Sequence, residues 1–188
     1  GHYVNVNTIE DWNAANYLCR SLHFERHRVS LVIPAYNEAA SIGSVLRDFK
    51  PHVFEMIVVD NCSADGTAEV ARDAGATVIS QPTRGFGDAI KRGLDAAQGE
   101  ILVMVEADGT FRAKDLGKLL EFLKDADMVV GTRTTREMIE QGANMDGILR
   151  IANILWGKII EALWWNVEPR YTDVGCTYRA LWRDSYLK

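Results

Sequence analysis

Short β-rich apolar runs and segments of helical spacing alternate along most of this chain, a pattern that few architectures can accommodate. The runs are Arg28 to Ile33, Met56 to Val59, Thr77 to Ser80, Ile101 to Glu106 and Asp127 to Val130. Between them, apolar residues recur every three or four positions. Ile42, Val45, Leu46 and Phe49 mark a helix over 38–49, a second covers 64–74 and ends at Gly75, and Ala89, Ile90, Leu94 and Ala97 mark a third over 87–97. Leu116, Leu119, Leu120 and Leu123 mark a fourth. Strands that alternate with helices in this way make a largely parallel sheet with helices on both faces, an α/β fold. Pro34 is expected to stop the first strand, because it brings no N–H to a ladder. With 188 residues, 47% of them hydrophobic, the chain can bury one substantial core.

The flanks are less regular. Residues 8–25 carry Ile9, Trp12, Ala15, Leu18 and Leu22 after a capping Thr8, which predicts a helix outside the core. The organisation expected is therefore an N-terminal helical extension over 1–27 and a catalytic domain over 28–188, with the natural protein continuing past Lys188. Residues 132–146 read as a polar loop at the active edge. Ile148 to Trp165 is an apolar helix bearing Trp156, Trp164 and Trp165, but Arg150, Asn153, Lys158 and Glu161 interrupt it. Those polar groups argue against a transmembrane span, so the readings are core packing, a homo-oligomer face or a peripheral membrane contact. Thr172 to Leu181 is expected to return as an edge strand.

Composition narrows the function. A net charge of −5 disfavours a nucleic-acid partner. Cys19, Cys62 and Cys176 are odd in number and far apart, which suits neither a disulfide framework nor a zinc site and points to a cytoplasmic location, at most peripheral at the membrane face. His2, His23, His27 and His52 stand apart from every motif.

Chemistry concentrates where the fourth strand ends, at Val105-Glu106-Ala107-Asp108-Gly109. Residues i and i+2 of an extended segment face the same way, so Glu106 and Asp108 can converge on one ligand. Carboxylate oxygens suit Mg²⁺ or Mn²⁺. The carboxyl edge of a parallel sheet is also where such folds bind ligands.

The segments "LVIPAYNEAASIGSVL", "IVVDNCSADGTAEVA", "RGFGDAIKRGLDAAQGEILVMVEADGTF", "VVGTR", "RIAN" and "TDVGCTYRAL" together resemble a family 2 glycosyltransferase of the GT-A fold. The similarity runs toward the branch of dolichyl- and polyprenyl-phosphate sugar synthases. Two positions depart from that pattern: Glu106 where an aspartate is usual, and Thr177 where a glycine is common.

The resemblance implies a donor site in which Pro34, Ala35, Tyr36 and Glu38 line the base and ribose pocket and Asp60 accepts a hydrogen bond from the base. Arg84, Gly87, Glu106, Ala107 and Asp108 complete the donor-binding set, with Asp108 and Glu106 as metal ligands for Mg²⁺ or Mn²⁺. It implies inverting transfer of a hexose from a UDP- or GDP-linked sugar, with Arg133 and Arg150 gripping a polyprenyl phosphate acceptor. A saccharide or small-metabolite hydroxyl is the alternative acceptor, and Asp173 would then be its base. A nucleotide-sugar-binding module without turnover is the reading from outside enzymology.

Overall fold

The computed structural model describes residues 26–132, 147–164 and 173–188, together with Thr8 and Ala15. The expected N-terminal helix over 8–25 and the loop over 132–146 lie almost wholly outside the described residues. In chain order the elements are β1 (Val29–Ala35), α1 (Ile42–Phe49), β2 (Glu55–Asp60), α2 (Thr67–Asp73), β3 (Thr77–Ser80), α3 (Phe86–Ala96) and β4 (Ile101–Met104). They continue with α4 (Leu116–Leu123), β5 (Met128–Val130), α5 (Gly147–Leu163), β6 (Arg179–Trp182) and the short α6 (Arg183–Tyr186).

The strands form one six-stranded sheet in the order β3-β2-β1-β4-β6-β5. β1 pairs in parallel with β2 and β4, and β2 with β3, whereas β6 runs antiparallel to both β4 and β5. The fold is thus α/β with a mostly parallel central sheet, as the alternation predicts. β6 differs from expectation: it is the last strand in sequence but lies inside the sheet, because it fills the space between β4 and β5.

The two faces of the sheet sort by residue parity. Leu31, Ile33, Val58, Val103 and Ala180 turn toward α1, α2 and α4, and meet Ile42, Leu46, Phe49, Leu116 and Leu123. Val32, Ile57, Val59, Leu102 and Leu181 turn the other way, where α3 supplies Ala89 and Leu94. β1 is buried along its whole length. That makes it the spine on which the site is mounted.

Pro34 does not end β1, which continues to Ala35. The even-numbered backbone groups of β1 face β4, as the bond from Val105 N–H to the Val32 carbonyl shows. The missing N–H of Pro34 therefore points where the β4 ladder is already finishing, and pairing with β2 is unaffected: Pro34 stands opposite Val59 and Ala35 opposite Asp60.

Core packing does not describe α5. Ile151, Leu155, Trp156 and Leu163 are more than half exposed, while Gly157 is buried and Asn153 and Glu161 are half-buried. The helix turns its apolar side outward. No helix among the described residues is long and apolar enough to cross a membrane.

Candidate active site

After β1 the chain moves outward through β2 and β3, then returns to the opposite flank of β1 as β4. The gap between the carboxyl ends of β1 and β4 is the topological switch point of the sheet, where open α/β folds bind ligands. A cavity of about 190 Å³ lies there, lined by Pro34, Ala35, Tyr36 and Glu38 after β1, by Glu106, Ala107 and Asp108 after β4, and by Asn61 and Phe86.

The β1–α1 and β2–α2 loops form one rigid wall because each hydrogen-bonds the other. Asn37 N–H donates to Ser63 Oγ at 3.0 Å, Glu38 N–H to Thr67 Oγ1 at 2.8 Å, Ala39 N–H to Asp65 Oδ2 at 3.1 Å, and Ala64 N–H to Asn37 Oδ1 at 2.8 Å. Asn37 takes φ of 54° to make this turn, a conformation asparagine tolerates. The Thr67 hydroxyl, with help from the Ala39 and Thr67 amides, holds the Asp65 carboxyl below the usual range despite the opposing pull of desolvation. Glu38 is itself oriented: its Oε2 accepts from Ser41 Oγ at 2.6 Å. A third loop joins through Asn61 Oδ1, which accepts from Gly85 N–H at 2.9 Å and so ties the end of β2 to the start of α3.

Glu106 and Asp108 both reach the cavity, but their environments differ. Glu106 is half-buried, and its Oε1 accepts from Thr177 Oγ1 at 2.5 Å. Asp108 is exposed; its Oδ1 accepts from Thr110 N–H at 2.9 Å and its Oδ2 from Thr110 Oγ1 at 2.8 Å. Gly109, at φ +82°, lets the chain turn back at once, so Thr110 can orient that carboxylate. Two carboxylates on one wall suit a hard divalent cation that shares its remaining positions with a diphosphate and water. Among the described residues, no group of three or more His, Cys, Asp or Glu could hold a metal by itself.

The other residues singled out from sequence divide into four groups. Arg84 stands at the rim, its guanidinium stacked over Tyr36. Asp60 and Gly87 do not line the cavity: Asp60 Oδ1 accepts from Ser63 N–H at 3.3 Å, and Gly87 lies exposed in the first turn of α3. Asp173 is 1% exposed, and its Oδ1 accepts from Gly175 N–H at 3.1 Å, so it shapes the turn ahead of β6. Arg133 lies outside the described residues. Arg150 falls within α5, and its side chain is also outside them.

Asn61, Phe86 and Thr110 were not anticipated. Asn61 could have been found, since it directly follows the last residue of β2. Phe86 also carried a signal, as an aromatic between two glycines at a helix start, and it is 54% exposed. Phe86 also lines a second cavity, of about 460 Å³, between α3 and the approach to β6, where Thr177 and Arg179 supply polar groups.

Residues 30–184 match the family model described as "Glycosyl transferase family 2". The glycosyltransferase AglJ of Haloferax volcanii is 34% identical over 163 residues, which cover 85% of this chain and 52% of that protein. A dolichyl-phosphate hexose transferase of the same organism is 34% identical over 140 residues, 72% of this chain and 59% of its own. Among solved structures, glucosyl-3-phosphoglycerate synthase of Mycobacterium tuberculosis, crystallised with Mn²⁺, UDP and glucosyl-3-phosphoglycerate, superposes with a TM-score of 0.65 at 24% identity, covering 98% of this chain and 64% of that one. The chain thus spans roughly half to two thirds of these proteins.

Proposed function

The chain belongs to glycosyl transferase family 2, and from that premise we propose that it transfers a hexose, with inversion, from a UDP- or GDP-linked sugar to a polyprenyl phosphate. The observation that carries the donor half is the convergence of Tyr36, Glu38, Glu106 and Asp108 on one cavity at the switch point. Tyr36 offers a flat face to a base, and Glu38 and Glu106 accept hydrogen bonds from ribose or base. Asp108 and Glu106 would hold Mg²⁺ or Mn²⁺, which when bound neutralises charge on the departing nucleoside diphosphate. Arg84 begins within reach of the same region and carries a planar, permanently charged group suited to phosphate oxygens.

On the acceptor side, a phosphate oxygen attacks the anomeric carbon from the face opposite the diphosphate. The new C–O bond forms as the bond to the donor phosphate breaks, so configuration inverts. A phosphate is already ionised near neutral pH and needs no strong base. That agrees with an Asp173 engaged in its own turn. Arg133 and Arg150 are assigned the acceptor phosphate. The outward apolar side of α5, with Trp156 exposed on it and Trp164 exposed just past its end, is assigned to the membrane surface in which a polyprenyl chain resides. The dolichyl-phosphate hexose transferase among the relatives supports this acceptor class.

The test is release of nucleoside diphosphate when the chain is given UDP- or GDP-hexoses with vesicles that contain polyprenyl phosphate. Turnover that depends on the lipid phosphate is expected. Turnover only with saccharide or small-metabolite hydroxyls would replace the acceptor assignment, and donor binding without even slow hydrolysis would make the chain a binding module.

A further inference from the structure

The antiparallel ladder between β4 and β6 sets Met104 opposite Arg179. Carried two residues past that pair, the same register sets Glu106 opposite Thr177 on the same face of the sheet. Their side chains meet there through the 2.5 Å bond from Thr177 Oγ1 to Glu106 Oε1. Thr177 is 8% exposed and β-branched, so its χ1 has little freedom.

Thr177 is also braced from both neighbours. On one side the Tyr178 carbonyl accepts from Gly131 N–H at 2.8 Å, and Tyr178 Oη donates to the Arg112 carbonyl at 3.3 Å. On the other, Arg179 Nε donates to the Cys176 carbonyl and Nη2 to the Val174 carbonyl, each at 2.8 Å. The Thr177 hydroxyl is therefore a fixed point. Glutamate has three side-chain torsions, and without an anchor its carboxylate would sample several positions in a half-open site. Aspartate at 106 would fall short of Thr177 by about one C–C bond, roughly 1.5 Å.

We propose that Thr177 is a positioning residue for the donor site: its hydroxyl locks the Glu106 carboxylate through Oε1 and leaves Oε2 for the donor's ribose or its cation, with Arg179 holding Thr177 in place. This rests on reading the switch-point cavity as a donor site.

Calorimetric titration of the chain with UDP and GDP, each with Mn²⁺, tests it. For the nucleotide that wild type binds, Thr177→Val should raise Kd about tenfold, the effect of losing one hydrogen bond to a charged group. Thr177→Ser should stay within about twofold of wild type, because it keeps the hydroxyl. In a Glu106→Ala background, Thr177→Val should add less than about twofold, since the group it positions is gone. Under turnover, KM for the donor should rise with kcat nearly unchanged. If Thr177→Val fails to fold, Thr177→Ala removes the same hydroxyl without adding bulk and carries the same expectation. Wild-type affinity in Thr177→Val, or losses that multiply in the double variant, would overturn the positioning role and leave the donor site standing. Failure of wild type to bind either nucleotide would overturn both.

Discussion

The Arg84 guanidinium carbon lies 3.7 Å from the centre of the Tyr36 ring, so a residue from the loop before α3 covers an aromatic face from the loop after β1. At an exposed position such stacking contributes about 0.5–1 kcal/mol, little enough for a ligand to displace. On the proposed reading, a base that took the Tyr36 face would release Arg84 toward the phosphates. Arg84→Ala should therefore weaken nucleoside diphosphate binding about tenfold or more, while affinity for the bare nucleoside holds or improves. Parallel titrations with UDP and uridine, and with GDP and guanosine, check this; equal losses for nucleoside and diphosphate would show that Arg84 acts only by supporting Tyr36.

Gly93 lets α3 lie against the sheet beneath the site. A Cβ there would stand 2.4 Å from Val32 Cγ1 and 3.0 Å from Val59 Cγ2, both on buried strands. Gly93→Ala gains about 1 kcal/mol of helix propensity but must push the helix off its bed. We expect a net loss of about 1–3 kcal/mol, read as a lower urea midpoint with an unchanged slope.

Alkaline pH should loosen the junction of α6 with α3. Tyr186 Oη donates to Asp95 Oδ1 at 2.6 Å. Burial, then that hydrogen bond and the Asp95 charge, push the phenol from its ordinary 10.0 up to about 12. A folded pKa above the unfolded one means that the neutral phenol's contribution is complete below pH 10 and disappears as pH rises through about 12. Tyr178 is pushed the same way, by burial first and then by Asp115 and Asp48. Thermal midpoints measured from pH 9 to 12 should fall, and Tyr186→Phe should fall less steeply, because it has no proton to lose.

Charges on the outer side of α5 should separate membrane contact from donor binding. Leu155 is 59% exposed and Trp156 60%, so Leu155→Glu with Trp156→Glu removes little buried packing. Co-sedimentation with vesicles should be lost, while nucleotide affinity and thermal midpoint stay near wild type. Undiminished co-sedimentation would take this face out of the account.

Much of the frame was legible because periodicity reports burial directly. The wholly buried β4 reads as a continuous apolar run and β1 as one broken only by Ser30, and α3 shows its apolar face at Ala89 and Leu94. The acidic end of β4 and the loop after β1 were likewise visible, and the sheet order brings them together. What escaped depends on pairing between distant segments. β6 lies inside the sheet, and only its antiparallel register makes Thr177 the partner of Glu106. Nor could the sequence tell that Asp60 would serve its own turn through Ser63, or that Asp173 would be buried doing the same. Asp and Ser near strand ends are chemically fit for both turns and ligands, and only geometry separates the two uses.

The most direct test of the whole account is the Mn²⁺-dependent part of the thermal shift that a nucleoside diphosphate produces, compared between wild type and Asp108→Asn. Asparagine keeps the shape and an acceptor toward Thr110 but removes the charge a cation needs. Wild type should show a larger shift with Mn²⁺ than without it, and Asp108→Asn should show the same shift in both. An undiminished Mn²⁺-dependent increment in Asp108→Asn would contradict the assignment of Asp108, and with it the chemistry proposed for this site.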